Sequence, residues 1–301
     1  MRKAAVLFAC AAALAAVFAL SGCGSAEEAT GAAFTPATTV EEAAFNKQAA
    51  SGTGGVLIDT SSVAEGYVAA SGTSSSRLKL QVSSGGNSAN YDLPQDGTPI
   101  VAPLTFGDGS YEFRVMQNTS GNSYVELYRT TANVQLESEF APFLRPNLFC
   151  NYSADSACVA KARELVANAQ NQGEAVEAIC TYVVSSISYD EAKAQQLKEA
   201  SGYVPDPDAT LSAQTGICFD YASLGAAMLR SQGIPSKIVT GYVSPNNIYH
   251  AWIMVYIDGT WKSAQFSVEK DTWSRVDLTF ASGGGSSNVG DGKSYSDRYT
   301  Y

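Results

Sequence analysis

The stretch Thr215-Gly216-Ile217-Cys218-Phe219-Asp220-Tyr221-Ala222-Ser223-Leu224-Gly225-Ala226-Ala227-Met228-Leu229-Arg230-Ser231-Gln232-Gly233-Ile234-Pro235 decides how the second half of this chain is read. Tyr221, Leu224 and Met228 recur on one face, which predicts an amphipathic helix. Gly233 is suited to cap the end of that helix, and Pro235 forbids its continuation. Cys218 then falls in or just before the first turn, where N–H groups lack partners and the helix dipole is positive. An anion is favoured there, so Cys218 is a candidate nucleophile and the nearby amides a candidate oxyanion site. A cysteine at a helix start carries little weight alone.

Downstream, Ser236 to Val243 and Ile248 to Asp258 alternate and are rich in Ile, Val and Tyr, so both read as strands. Asp258-Gly259 is a hairpin signal, and Thr260 to Phe266 is expected to return beside them. His250 is the one histidine of the chain, and a period of two puts it on the same face as Trp252. A lone histidine in a strand is more often structural than catalytic. A thiol nucleophile, however, needs a base that titrates near neutrality, and imidazole is that base. A carboxylate could fix the ring by accepting from its second nitrogen. Asp277, in Trp273-Ser274-Arg275-Val276-Asp277-Leu278-Thr279-Phe280, is one candidate, and by spacing Asp258 and Asp271 serve equally well.

Together, Gly-Ile-Cys-Phe-Asp-Tyr-Ala, Leu-Arg-Ser-Gln-Gly-Ile-Pro, Gly241-Tyr242, Tyr-His-Ala-Trp and Trp-x-x-x-Asp-x-Thr-Phe resemble the bacterial transglutaminase-like superfamily over about residues 140 to 281. The resemblance implies that Cys218 is the nucleophile, His250 the general base and Asp277 its orienting partner, in preference to Asp258 or Asp271. It implies an α+β fold with a papain-like core, in which the nucleophile opens a helix packed on an antiparallel sheet carrying the other two residues. Leu278 departs from the pattern, since similar sequences usually have proline there. The resemblance extends to the β-rich region ahead of the core, which similar secreted proteins carry.

Residues 1–22 have the layout of a secretory signal peptide: Arg2 and Lys3, then an apolar run from Ala4 to Leu20. Leu20-Ser21-Gly22-Cys23 resembles a bacterial lipobox, which makes Cys23 the expected lipidation site and mature N-terminus. The protein is therefore expected on the extracytoplasmic face of the cell membrane, held there by lipid, each buried CH2 contributing roughly 0.8 kcal/mol. Residues 23–50 are poor in apolar side chains at the start and read as a flexible tether. Residues 51–136 hold about seven short alternating segments separated by turns such as Asp96-Gly97 and Ser120-Gly121-Asn122, which suggests a small β-sandwich-like domain. Residues 137–301 form the transglutaminase-like domain, with helices expected over Ala157 to Ala169 and Glu174 to Ile187.

Of six cysteines, Cys10 leaves with the signal peptide. Cys150 and Cys158 flank a turn-like stretch and are expected to form a disulfide in an exported protein. Cys180 sits among apolar residues and reads as a core thiol, leaving Cys218. The net charge of −10 argues against nucleic acid as a partner. One histidine and scattered cysteines offer no zinc-ligand spacing, no phosphate loop is present, and no cofactor is expected. The expected activity is acyl transfer or hydrolysis on a protein or peptide substrate, which includes cell-envelope polypeptide. The rival from another class is a surface binding or adhesion lipoprotein with a vestigial triad.

Overall fold

A computed structural model of the chain describes residues 29–198, 200–262, 266–283 and 293–301. The expected signal peptide at 1–22, the lipidation site Cys23 and most of the Gly/Ser-rich stretch 282–293 lie outside the described residues. Among the described residues no helix is long and apolar enough to cross a membrane.

Alternating polarity shapes the first half. Strands β1 (Ser51–Thr53), β2 (Val56–Asp59), β3 (Tyr67–Gly72), β4 (Leu78–Ser84), β5 (Asn87–Leu93), β6 (Ile100–Pro103), β7 (Gly109–Ser120) and β8 (Ser123–Val134) make two four-stranded antiparallel sheets, ordered β1-β2-β3-β6 and β5-β4-β7-β8. In β4, Leu78, Leu80 and Val82 are buried while Lys79, Gln81 and Ser83 are half exposed, so one face meets the core. β3, central in its sheet, is buried along its whole length.

The second half is built from α1 (Ala157–Leu165), α2 (Gln172–Ser186), β9 (Ser188–Tyr189), α3 (Glu191–Leu197), α4 (Pro207–Ala213), β10 (Thr215–Gly216), α5 (Cys218–Arg230), β11 (Ser236–Val243), β12 (Ile248–Val255), β13 (Trp261–Lys262), β14 (Ser267–Val268), β15 (Ser274–Val276), α6 (Leu278–Ala281) and β16 (Tyr295–Thr300). α5 is the buried central helix, and it packs on the antiparallel sheet β15-β12-β11-β16. Its apolar residues fall on every face because α1, α2, α4 and α6 cover the sides that the sheet leaves open. Gly233 ends the helix at φ +74°, a left-handed conformation that costs glycine little. The fold is mixed α+β, with a central helix on an antiparallel sheet and a sheet-rich region before it. One hydrophobic core runs through both parts, and aromatic rings join them: Tyr91 of β5 lies 6.0 Å from Phe149, which lies 5.3 Å from Phe219 of α5.

Three expectations are corrected. Residues from 29 onward are not a loose tether. Phe34 and Val40 pack against the core, Thr30 N–H donates to the Thr260 carbonyl, and Arg163 donates to the carbonyls of Ala37 and Thr38. Composition concealed this because most of the attachment is made by backbone groups. The strand expected to return from Asp258-Gly259 does not pair with β12. Thr30 and Ala32 take up Thr260 and Asp258, β13 pairs with β14 instead, and β15 occupies the edge of β12. Lastly, Cys150 and Cys158 are free thiols, both fully buried. The Cys150 thiol points toward the Ser223 carbonyl of α5, 3.9 Å away, while Cys158 sits in the first turn of α1 with its amide bound to Asp208. Burial pushes both thiols up from their ordinary value.

Candidate active site

The start of α5 is fixed by its own sequence. Ile217 is extended, and the Asp220 carboxylate accepts its N–H at 2.8 Å, one half of a capping box. The amides of Asp220 and Tyr221 donate to the Ile217 carbonyl. That leaves the Cys218 and Phe219 N–H groups at the helix opening, beyond the reach of the helical ladder. Asp220 is fully buried and also accepts from Lys193 Nζ at 2.6 Å and from the Tyr203 hydroxyl. Those two partners come from α3 and the loop after it, so the helix opening is clamped from the side.

His250 lies on β12 opposite Gly241 of β11. A Cβ at Gly241 would fall 2.1 Å from the Ser296 carbonyl oxygen and 2.9 Å from the Trp252 ring. Glycine therefore lets β16 close over Trp252, whose ring meets Tyr295 edge-on at 4.9 Å. Asp277 is the N-cap of α6, and its Oδ1 accepts from the Phe280 N–H at 3.0 Å. The other oxygen, Oδ2, accepts from the Tyr295 hydroxyl at 2.7 Å and lies 2.9 Å from His250 Nε2. α6 can approach because Gly225 of α5 has no side chain: a Cβ there would be 2.5 Å from Leu278 Cδ1. Leucine where proline is usual thus fills the space above Gly225 and leaves the carboxylate in place. Asp258 and Asp271 are used elsewhere, the first paired with Lys270 at 2.6 Å and the second in a turn at φ +52°.

Cys218 and His250 line one cleft of about 770 Å³. His250 is fully buried, and its Nδ1 has no partner at proper hydrogen-bond geometry. The Cys218 sulfur is nonetheless close enough for its charge to act on the ring, and such contacts commonly tighten when substrate binds. Burial disfavours charge on the imidazole, but the charge of Cys218 and the hydrogen bond that the ring donates to Asp277 outweigh it, and the pKa is pushed up to about 10. Asp277 behaves oppositely. Burial raises its carboxyl, while His250, the Phe280 amide and Tyr295 pull it below the ordinary value. A raised imidazole contributes stability that is present below its ordinary 6.5 and lost as pH climbs through about 10. A lowered carboxyl contributes stability above 3.8 that is lost as pH falls.

Residues 159–278 match the family model described as the transglutaminase-like superfamily. This stretch of the chain is transglutaminase-like. Among curated proteins none matches the sequence. Among solved structures, a candidate cysteine protease from Cytophaga hutchinsonii is 17% identical, with 77% of this chain and 80% of that one covered at a TM-score of 0.36. Red sea bream transglutaminase is 12% identical, with coverages of 71% and 48% and a TM-score of 0.30. A candidate protease from Parabacteroides distasonis ATCC 8503 is 16% identical, with coverages of 70% and 44% and a TM-score of 0.30. The transglutaminase-like core supports a cysteine-based enzyme at the level of the superfamily.

Two residues that serve this core were not singled out from the sequence. Asp220 carried a usable signal, since an acid three residues after a helix cap is half of a capping box. Tyr295 carried none, because only the pairing of β16 with β11 brings its hydroxyl to Asp277. The raised imidazole has a direct consequence for the thiol. With the helix opening on one side and the imidazole on the other, iodoacetamide at pH 6 should label Cys218 at least about tenfold faster than free cysteine. Equal rates would rule out a cation beside the sulfur.

Proposed function

We propose that the chain is an extracytoplasmic, lipid-anchored thiol acyl-transfer enzyme acting on peptide or glutamine amides through Cys218, His250 and Asp277. One observation carries the reading: the lone histidine gives one ring nitrogen to Asp277 and leaves the other buried and unpaired beside the helix opening that bears Cys218. Cys218 Sγ attacks the amide carbonyl carbon, and the N–H groups of Cys218 and Phe219 receive the oxygen as it becomes anionic, each such donor contributing about 2.7–4 kcal/mol. His250 gives its proton to the departing nitrogen as the C–N bond breaks, which leaves a thioester on Cys218. An amine resolves that thioester to a new amide, and water resolves it to a carboxylate, with the neutral imidazole taking the proton of either. The anchor rests on Leu20-Ser21-Gly22-Cys23 and places the reaction outside the cell membrane.

Incubation with a glutamine-containing peptide, followed by acid quench and intact-mass measurement, tests the reading. The expected adduct is the peptide less ammonia, mapped to Cys218, and a labelled primary amine should divert it into a labelled amide. If wild-type protein forms no thioester, no ammonia and no amide, acyl transfer is refuted and the surface-binding reading takes its place.

A further inference from the structure

The cleft does not end at its catalytic residues. Leu148 and Val204 form part of its wall, and the same two residues also line a second cavity of about 530 Å³. The two spaces are therefore neighbours across one apolar ridge. Val204 is 40% exposed, one of the few large hydrophobic residues left so open among the described residues. Beyond the ridge the walls include Phe45, Pro94, Pro99, Pro146 and Pro205, with Thr98 and Asn151 beside them, and Asp206 is the only charged residue lining the space among the described residues. Proline has no N–H, so this wall offers a ligand apolar surface and few backbone donors. Asn147 also lines it. Its side chain is 97% buried by residue, its Oδ1 accepts from Phe149 N–H at 2.9 Å, and its Nδ2 has no partner. A buried amide donor left unsatisfied costs free energy unless something supplies an acceptor. One wall comes from residues 43–45, within the segment whose composition suggested only a tether.

We infer that this second cavity is a distal substrate subsite, which holds an uncharged apolar segment of an extended polypeptide whose reacting carboxamide lies at Cys218. The inference rests on the acyl-transfer reading only for what happens at Cys218; the groove itself is defined by its walls. The segment's side chains pack against the proline-lined wall. An extended chain suits that wall, because its side chains alternate along its length. Acyl donors would then be selected by sequence remote from the reacting residue, as binding energy from non-reacting parts of a substrate commonly is used.

The test uses fluorescein-labelled peptides that contain one glutamine and carry, before or after it, either a leucine- and proline-rich tail or a serine- and glycine-rich tail. Binding to the full-length Cys218→Ala protein is measured by anisotropy, and turnover of the same peptides by the wild type is measured in parallel. The apolar tail should tighten binding roughly tenfold or more. Ala44→Glu, which places a charge at an exposed position of the wall, should remove most of that difference, and Val204→Asp should do the same from the ridge. Equal affinity for both tails, or a tail preference untouched by both variants, overturns the subsite. If the apolar tail binds as expected but no thioester forms on the wild type, the groove stands and the acyl-transfer reading fails.

Discussion

Asp277→Asn should lower kcat/KM on a glutamine peptide by about 10³–10⁴-fold while leaving the protein folded. The carboxylate occupies a site with three donors: His250 Nε2, the Tyr295 hydroxyl and the Phe280 amide. Asparagine keeps an oxygen for the Phe280 cap, so α6 and its seat over Gly225 survive. What it removes is the negative charge opposite the ring. A neutral amide cannot hold a buried imidazolium against desolvation, and the ring pKa should fall from about 10 toward or below its ordinary 6.5. The basic limb of the pH–rate profile, read as kcat/KM, should therefore move to lower pH. An asparagine that presents its NH2 to Nε2 would also favour the wrong tautomer, with the proton on Nδ1, which faces the thiol. Tyr295→Phe is the graded comparison. It removes one donor of three, which is worth about 1 kcal/mol, and so should cost less than about tenfold. Activity of Asp277→Asn within threefold of wild type would remove Asp277 from its role and leave its hydrogen bond to His250 purely structural.

How much of this site could be read from the sequence depended on how each residue is placed. Cys218 was legible because the helix that carries it has its own start and stop signals, with Gly233 in the left-handed conformation that a helix end favours. His250 was legible because it is unique and sits in a strand of plain alternation. Asp277 was different: spacing left it level with Asp258 and Asp271, and only the resemblance of its surroundings to a known family separated them. The physical reason for the choice lies in tertiary contacts, the absent side chain of Gly225 and the buried Leu278 that rests on it. Tyr295 follows a Gly/Ser-rich stretch and reaches the site by strand pairing, which no local pattern encodes. The packing of residues 29–50 was hidden for a related reason. Backbone hydrogen bonds such as Phe34 N–H to the Gln170 carbonyl leave no mark on composition. Sequence patterns recorded the elements well and the partners of their edges poorly.

Arg230→Met should destabilise the protein by about 3–5 kcal/mol, a larger loss than any surface change is expected to give. Arg230 closes α5 and is 1% exposed, and no Asp or Glu side chain pairs with it among the described residues. Its guanidinium donates to three main-chain oxygens. Nε donates to the Ser236 carbonyl at 2.8 Å, Nη1 to Arg145 at 2.9 Å and Nη2 to Tyr301 at 2.9 Å. Those carbonyls belong to the first residue of β11, the connector between the two halves, and the residue after β16. One planar fork thus ties the helix that begins at Cys218 to the sheet that carries His250 and Tyr295. Methionine has similar length and restores packing, but it takes the donor from the Ser236 and Arg145 carbonyls in a water-poor interior, each costing about 1–3 kcal/mol less whatever relaxation recovers, while the Tyr301 oxygen keeps the Ile238 N–H. Lysine keeps the charge but not the fork, so Arg230→Lys should recover only part of the loss. Urea unfolding followed by circular dichroism would read the difference as a lower midpoint at unchanged slope. A midpoint for Arg230→Met within about 1 kcal/mol of wild type would mean the carbonyls find other donors, and the helix and sheet would then owe their alignment to apolar packing alone.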